Sequence, residues 1–158
     1  MEQDDKMTAE RSTMQQFNVS FFRFEDLRVY GKATDYATWV SNQVANPRNE
    51  SDRTLAGSFC HSAFDIALNI AEGSSRSKNQ FDHNLKIAKT AIRECVVYTE
   101  VAHRIGMFDD ANFEQSREYL MELTRMIGAL IISLQRAGER RHEDSTDSYP
   151  STSDEMAY

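Results

Sequence analysis

The sequence predicts an all-α protein, an antiparallel up-down-up-down four-helix bundle with flexible N- and C-terminal extensions. Three observations carry that expectation. Only two prolines and six glycines interrupt 158 residues, while helix formers such as Ala, Leu, Glu, Arg, Lys, Gln and Met fill the middle of the chain. Four segments repeat apolar residues at alternating steps of three and four, the helical period. The connections between them are short, which favours antiparallel neighbours. At 40% hydrophobic content the chain suits one domain with a real core. The expected organisation is an extension over 1–20, a bundle over 21–138, and an acidic, disordered tail over 139–158 rich in Ser, Thr, Asp and Glu.

The first helix follows the aromatic cluster Phe21-Phe22-Arg23-Phe24. Its stripe runs Leu27, Tyr30, Thr34, Ala37, Ser41, Val44, with a parallel row Val29, Ala33, Tyr36, Val40 beside it. Asn46-Pro47 ends it, because the residue before proline avoids the helical region. The second helix opens with Ser51 or Asp52 as N-cap. It carries Leu55, Phe59, Ser62, Ile66 and Asn69 beside Ala56, Cys60, Ala63, Ala67 and Ile70, the broadest apolar surface of the four, and Gly73 serves as its terminator.

The third helix starts in Ser77-Lys78-Asn79-Gln80, which has the form of a capping box. Phe81, Leu85, Ala88, Ile92, Cys95, Thr99 and Ala102 make its seam, and Ile105-Gly106-Met107 is a glycine cap with a hydrophobic follow-on. Asp109 or Asp110 caps the fourth helix, where Phe113, Ser116, Leu120, Leu123, Ile127, Leu130 and Leu134 keep the same spacing as far as Gly138.

Net charge is -7, but the ends hold most of it: -2 in residues 1–19 and -4 in 139–158, leaving -1 between. Cys60 and Cys95 lie inside apolar patterns with no metal spacing and read as small buried hydrophobes in a reducing compartment. The acidic start Met1-Glu2-Gln3-Asp4-Asp5-Lys6 has no apolar signal region. The longest nonpolar stretch, Met126 to Ile132, falls far short of the roughly 20 residues of a membrane span. The expectation is a cytoplasmic protein.

Phe24-Glu25-Asp26-Leu27-Arg28-Val29-Tyr30, then Asn69-Ile70-Ala71-Glu72-Gly73, then Phe81 with Leu85-Lys86-Ile87-Ala88, then Ile105-Gly106 occur in an order and spacing that resemble a known family. It is the four-helix-bundle proteins encoded in intervening sequences of bacterial ribosomal-RNA genes. The resemblance covers roughly Phe24 to Leu134; the Gly57–Ala63 stretch and Lys89-Thr90 depart from the pattern. It implies a homo-oligomer, commonly a pentameric ring, with no established enzymatic activity and no cofactor. It also implies kinship with accessory proteins of diversity-generating retroelements, which assist a reverse transcriptase and touch nucleic acid.

From Gly73 to Arg93 the bases Arg76, Lys78, Lys86, Lys89 and Arg93 face one acid, Asp82. Lys86, Lys89 and Arg93 recur at steps of three and four and share one helical stripe. Such a stripe can hold RNA or DNA phosphates; the plainer reading is a solvated face with Asp82 and Lys86 paired. Asn69 and Glu72 close the most apolar helix, where an unpaired polar group is costly. A structural polar network, with Arg76 beyond the cap, is expected of them.

A di-iron carboxylate bundle is the enzymatic alternative, since Glu100-Val101-Ala102-His103 matches Glu-x-x-His. Yet Thr99 and Ala102 occupy the seam, which puts Glu100 and His103 on the flank, and the second match, Glu139-Arg140-Arg141-His142, falls in the polar tail. No Gly-rich phosphate loop or G-x-S-x-G elbow occurs, and His61, His83 and His103 read as ordinary residues. Trp39, Tyr36 and Phe22 are expected to form an aromatic patch for packing or subunit contact. The chain therefore reads as a non-enzymatic, self-assembling accessory protein or scaffold, with a purely protein-binding adaptor as the alternative.

Overall fold

A computed structural model describes residues 21–146, with side chains described through residue 139. The expected N-terminal extension, and the tail from residue 147 onward, lie outside the described residues. Four helices and no strands are present among the described residues: α1 (Arg28–Gln43), α2 (Glu50–Ser74), α3 (Lys78–Arg104) and α4 (Asp110–Thr146). A 3₁₀ turn, Arg23–Asp26, precedes α1. Each helix packs on the next, and α1 closes against α4. No helix among the described residues is long and apolar enough to cross a membrane.

In α1 the row Val29, Ala33, Tyr36, Val40 forms the core, joined by Ala37 and Val44. Leu27, Tyr30, Thr34 and Ser41, expected in the main stripe, are only half-buried on the side toward α2. For Thr34 and Ser41 the hydroxyls explain the difference: Thr34 Oγ1 donates to the Gly31 carbonyl and Ser41 Oγ to that of Ala37, each 2.8 Å away, and Ser41 Oγ also accepts from Cys60 Sγ at 3.9 Å, so both are satisfied at the edge of the core.

The N-cap of α2 is Asn49, whose Oδ1 accepts from the Asp52 amide at 2.9 Å, and not Ser51 or Asp52. Asp52 is freed for another task. Its buried carboxylate receives Arg48 Nε at 2.6 Å and Nη2 at 3.3 Å. Arg48 in turn donates to the Gly106 and Ile105 carbonyls at 3.3 and 3.1 Å, tying the α1–α2 connection to the end of α3.

Gly73 is not a terminator; it lies inside the last turn of α2, buried. A Cβ there would stand 2.7 Å from both Phe81 Cδ2 and Asn84 Cβ, so the glycine lets α2 and α3 approach. In α3 the Ser77–Gln80 capping box forms as read. Its far end is a Schellman motif: Gly106 adopts φ 72°, its amide reaches the His103 carbonyl at 3.0 Å, and the Met107 amide reaches Ala102 at 2.8 Å.

Asp109 caps α4, its Oδ1 accepting from the Asn112 amide at 2.7 Å. The helix does not stop at Gly138 but runs on to Thr146. One glycine in a helix costs about 1 kcal/mol, and the helix formers Glu139-Arg140-Arg141 after it carry the helix through.

The core combines Phe59, Ile66 and Ile70 of α2 with Leu85, Ile92 and Cys95 of α3, Leu120, Leu123 and Ile127 of α4, and Phe108 between α3 and α4. A buried polar chain crosses it. Tyr36 Oη lies 2.9 Å from Ser116 Oγ, which lies 2.6 Å from Thr99 Oγ1, and Thr99 donates to the Cys95 carbonyl at 2.8 Å. Burial raises the Tyr36 phenol above its ordinary range and pushes the Cys95 thiol up to about 12. Both stay neutral, and the chain holds α1, α3 and α4 by neutral hydrogen bonds.

Candidate nucleic-acid interface

The capping box orients the start of α3 and thereby the five bases singled out around it. Arg76 sits just past α2 and donates Nε to Glu72 Oε1 at 2.8 Å. Lys78 is half-buried where α3 meets Leu134, Gln135 and Gly138 of α4. Lys86 pairs with Asp82, whose other oxygen takes Gln135 Nε2 at 3.4 Å. Lys89 and Arg93 make no ion pair among the described residues. The stripe thus divides into a neutralised end, at Arg76 and Lys86, and an open end, at Lys89 and Arg93.

One turn beyond Arg93, Val96 faces a shallow cleft shared with Arg117, Leu120, Met121, Thr124 and Arg125 of α4. Two arginines therefore extend the basic surface across the α3–α4 seam. Arg117 lies over the Phe113 ring, 5.6 Å from its centroid, and neither arginine has an ion pair among the described residues. Sequence reasoning missed both. The available signal was Arg117, Met121, Arg125, one residue off the core row Ser116, Leu120 at steps of four.

Asn69 and Glu72 do not share a network. Glu72 is exposed and holds Arg76. Asn69 is half-buried, donating to the Asp65 carbonyl at 2.9 Å and accepting from Asn84 of α3 at 3.3 Å. Glu72 continues the exposed row Phe64, Leu68, whereas Asn69 lies one position off it toward α3. Of the aromatic trio, Tyr36 and Trp39 stack with centroids 6.1 Å apart, as expected of a packing patch, and Phe22 stands apart. Tyr36 is fully buried, Trp39 packs between Phe108 and Tyr119 at 5.7 and 5.9 Å, and Phe22 stays exposed beside Phe21 and Phe24.

The Glu-x-x-His pair is engaged elsewhere: Glu100 Oε1 binds Arg104 Nε at 2.7 Å, and His103 Nε2 lies 2.8 Å from Asp110 with its ring on Phe113. No group of three or more His, Cys, Asp or Glu residues that could hold a metal comes together among the described residues. The His142 side chain lies outside the described ones.

On the opposite side, α1 and α2 bound an apolar groove of about 620 Å³ lined by Phe24, Tyr30, Ala37, Phe64, Leu68 and their neighbours. Phe64 and Leu68 on its rim are 45% and 60% exposed, and Val97 and Met121 on the α3–α4 side are exposed to a similar degree.

Four packed helices, with an apolar groove between α1 and α2 and four cations along the α3–α4 seam, define a small all-α bundle protein. The particular family follows from the sequence: residues 25–129 match the model of the 23S rRNA-intervening sequence protein family, and the chain belongs to that family. Comparison with curated proteins finds no match.

Proposed function

We propose that the protein is a non-enzymatic, self-assembling four-helix bundle of the cytoplasm, an accessory or scaffold for a structured RNA or a reverse-transcriptase complex, that contacts nucleic acid through the α3–α4 seam. The observation that carries the reading is the seam itself. Lys89, Arg93, Arg117 and Arg125 lack ion pairs among the described residues of a chain whose net charge is -7. Membership in a family named for rRNA intervening sequences supports an RNA context. Kinship with retroelement accessory proteins, implied by the sequence resemblance, adds the reverse transcriptase.

An up-down-up-down course belongs to this reading. Ser62 meets Glu94 while Asn69 meets Asn84, Thr99 meets Ser116 while Asp82 meets Gln135, and Lys32 meets Glu122 while Tyr36 meets Ser116. Partner number falls as residue number rises at all three contacts, as antiparallel neighbours require.

Assembly, in the five-membered ring that the resemblance implies, draws support from uncovered apolar side chains on two different flanks. Phe64 and Leu68 stand by the α1–α2 groove, and Val97 and Val101 on α3. A ring needs two such complementary patches on each subunit. The groove also favours a second reading, a purely protein-binding oligomeric adaptor.

Fluorescence anisotropy with a structured RNA, repeated at stepped salt, tests the nucleic-acid half. Affinity should fall with salt, and reversing Lys86, Lys89 and Arg93 to Glu should weaken binding by about a hundredfold or more at 0.1 M salt, since each phosphate contact is worth about eightfold there. Unchanged affinity would favour the adaptor. Light scattering on the eluted protein tests assembly: the wild type should be multimeric and Leu68→Asp monomeric, and a monomeric wild type overturns that part.

A further inference from the structure

We infer that copies of this chain assemble head to tail, the exposed apolar ridge of α3 in one copy seating in the α1–α2 groove of the next. This rests on the self-assembly reading above and adds which two surfaces meet.

The ridge is a second stripe on α3. The first faces the core through Leu85, Ala88, Ile92, Cys95 and Thr99. The second starts two residues on, about 200° around the helix, and runs Ile87, Thr90, Glu94, Val97, Val101, Ile105 at the same steps of three and four. Its aliphatic members are 38–59% exposed. Glu94 interrupts the run, but its carboxylate turns back to α2, accepting from Ser62 Oγ at 2.6 Å. Four β-branched apolar side chains at helical spacing on an outward face mark a helix that is covered on two sides.

The α1–α2 groove has the converse shape. Its floor is made of small residues, Ala37 and Ser41 against Ala67 and Ala71, and its α1 wall runs from Tyr30 to Asn42, about 18 Å of rise. Ile87 to Val101 covers about 21 Å. A ridge of that length laid over small residues is the arrangement by which helix axes approach to about 8–10 Å.

Charge agrees with shape. α2, which bears the rim residues Phe64 and Leu68, has four acids and one base, whereas α3 has five bases and three acids. No Lys or Arg lines the groove. Arg93, on the flank of the ridge, makes no ion pair among the described residues. Both halves of this match lie on one chain, so the partner it names is another copy. Like surfaces do not serve. Two grooves face to face would set acidic helices together over empty floors, and two ridges would set basic helices together with both grooves uncovered. Ridge in groove leaves each pair with one free groove and one free ridge, so the contact is heterologous and repeats until it closes.

Two variants of the full-length protein test this, Leu68→Asp in the groove and Val97→Asp/Val101→Asp on the ridge. Each alone should fall to the mass of one subunit in light scattering at a concentration where the wild type is multimeric. Mixed in equal amounts they should give twice that mass and no more, because only the ridge of the first and the groove of the second remain intact. These positions are exposed, and circular dichroism checks that the variants fold. Leu68→Ala and Val97→Ala/Val101→Ala, which favour helix, should show the same pattern at smaller amplitude. Either Asp variant keeping the wild-type mass or forming dimers alone, or a mixture that stays monomeric, overturns ridge-in-groove contact while a multimeric wild type upholds self-assembly. A monomeric wild type overturns both.

Discussion

The α1–α2 flank and the α3–α4 flank are made from the same kind of amphipathic helix and end with opposite chemistry. Between α1 and α2 the facing residues are small, Thr34, Ala37 and Ser41 against Ala67 and Ala71, so a trough stays open with Phe64 and Leu68 on its rim. Between α3 and α4 the larger Val96, Leu120 and Met121 fill the seam, and cations stand over them. Side-chain volume at facing positions decides how deep a cleft is. The residue one step off the core row decides what it attracts, which is Phe64 or Leu68 on one flank and Arg93, Arg117 or Arg125 on the other.

Phe59 offers the strongest way to break this contrast, because it lies beneath both flanks. It is fully buried, with ring centroids 5.7 Å from those of Tyr98 and Phe108. Phe59→Ala should cost about 3–5 kcal/mol in urea unfolding. Assembly and RNA affinity should then fail together; loss of one alone would show that the flanks do not share a core.

A smaller and more selective effect is expected at Gly73. Gly73→Ala forces a methyl against Phe81 and Asn84, at a cost of about 1–3 kcal/mol. The shift falls on the first turns of α3, so RNA affinity should drop while groove-dependent assembly persists, read by anisotropy and light scattering on the same sample.

The smallest effect belongs to the Arg48–Asp52 pair, which joins the two flanks at one end. Hydrogen bonds from Arg48 hold the Asp52 carboxyl below its usual range. A lowered folded value means that the contribution is fully present above the unfolded value near 4 and is lost as pH falls through the folded value. Wild type should therefore exceed Asp52→Asn in thermal stability at pH 7, and the gap should close below about pH 4. A gap independent of pH would assign the cost to geometry and not to charge.

Much of the fold was legible because its signals are local. The Ser77 capping box, the Gly106 cap and the three-four row of α3 need only a few neighbouring residues, and the structure places them where the sequence does, whereas in α1 the parallel row and not the main stripe forms the core. Errors arose where two local signals competed. Asn49, Ser51 and Asp52 are all good caps, and Asp52 was withdrawn from that role by Arg48, four residues earlier and bonded onward to the end of α3. Gly73 reads locally as a stop, but a partner helix makes it a packing residue. The candidate interface was half legible. Lys86, Lys89 and Arg93 stand on one helix and show as a stripe, whereas Arg117 and Arg125 join them only when α4 is laid beside α3.

By itself the sequence determined four helices, most of their boundaries, the inward rows and the family, since these follow from period, caps and residue order along one chain. Tertiary structure alone decided which polar groups meet across helices, as in Tyr36, Ser116 and Thr99, and which charges are cancelled, as Lys86 is by Asp82 while Lys89 is not. It also decided that one flank opens into an apolar trough while the other closes under arginines. The physical reason is range: helical period acts over a turn, whereas neutralisation, burial and cleft depth depend on side chains dozens of residues apart that only packing brings to within a few ångströms.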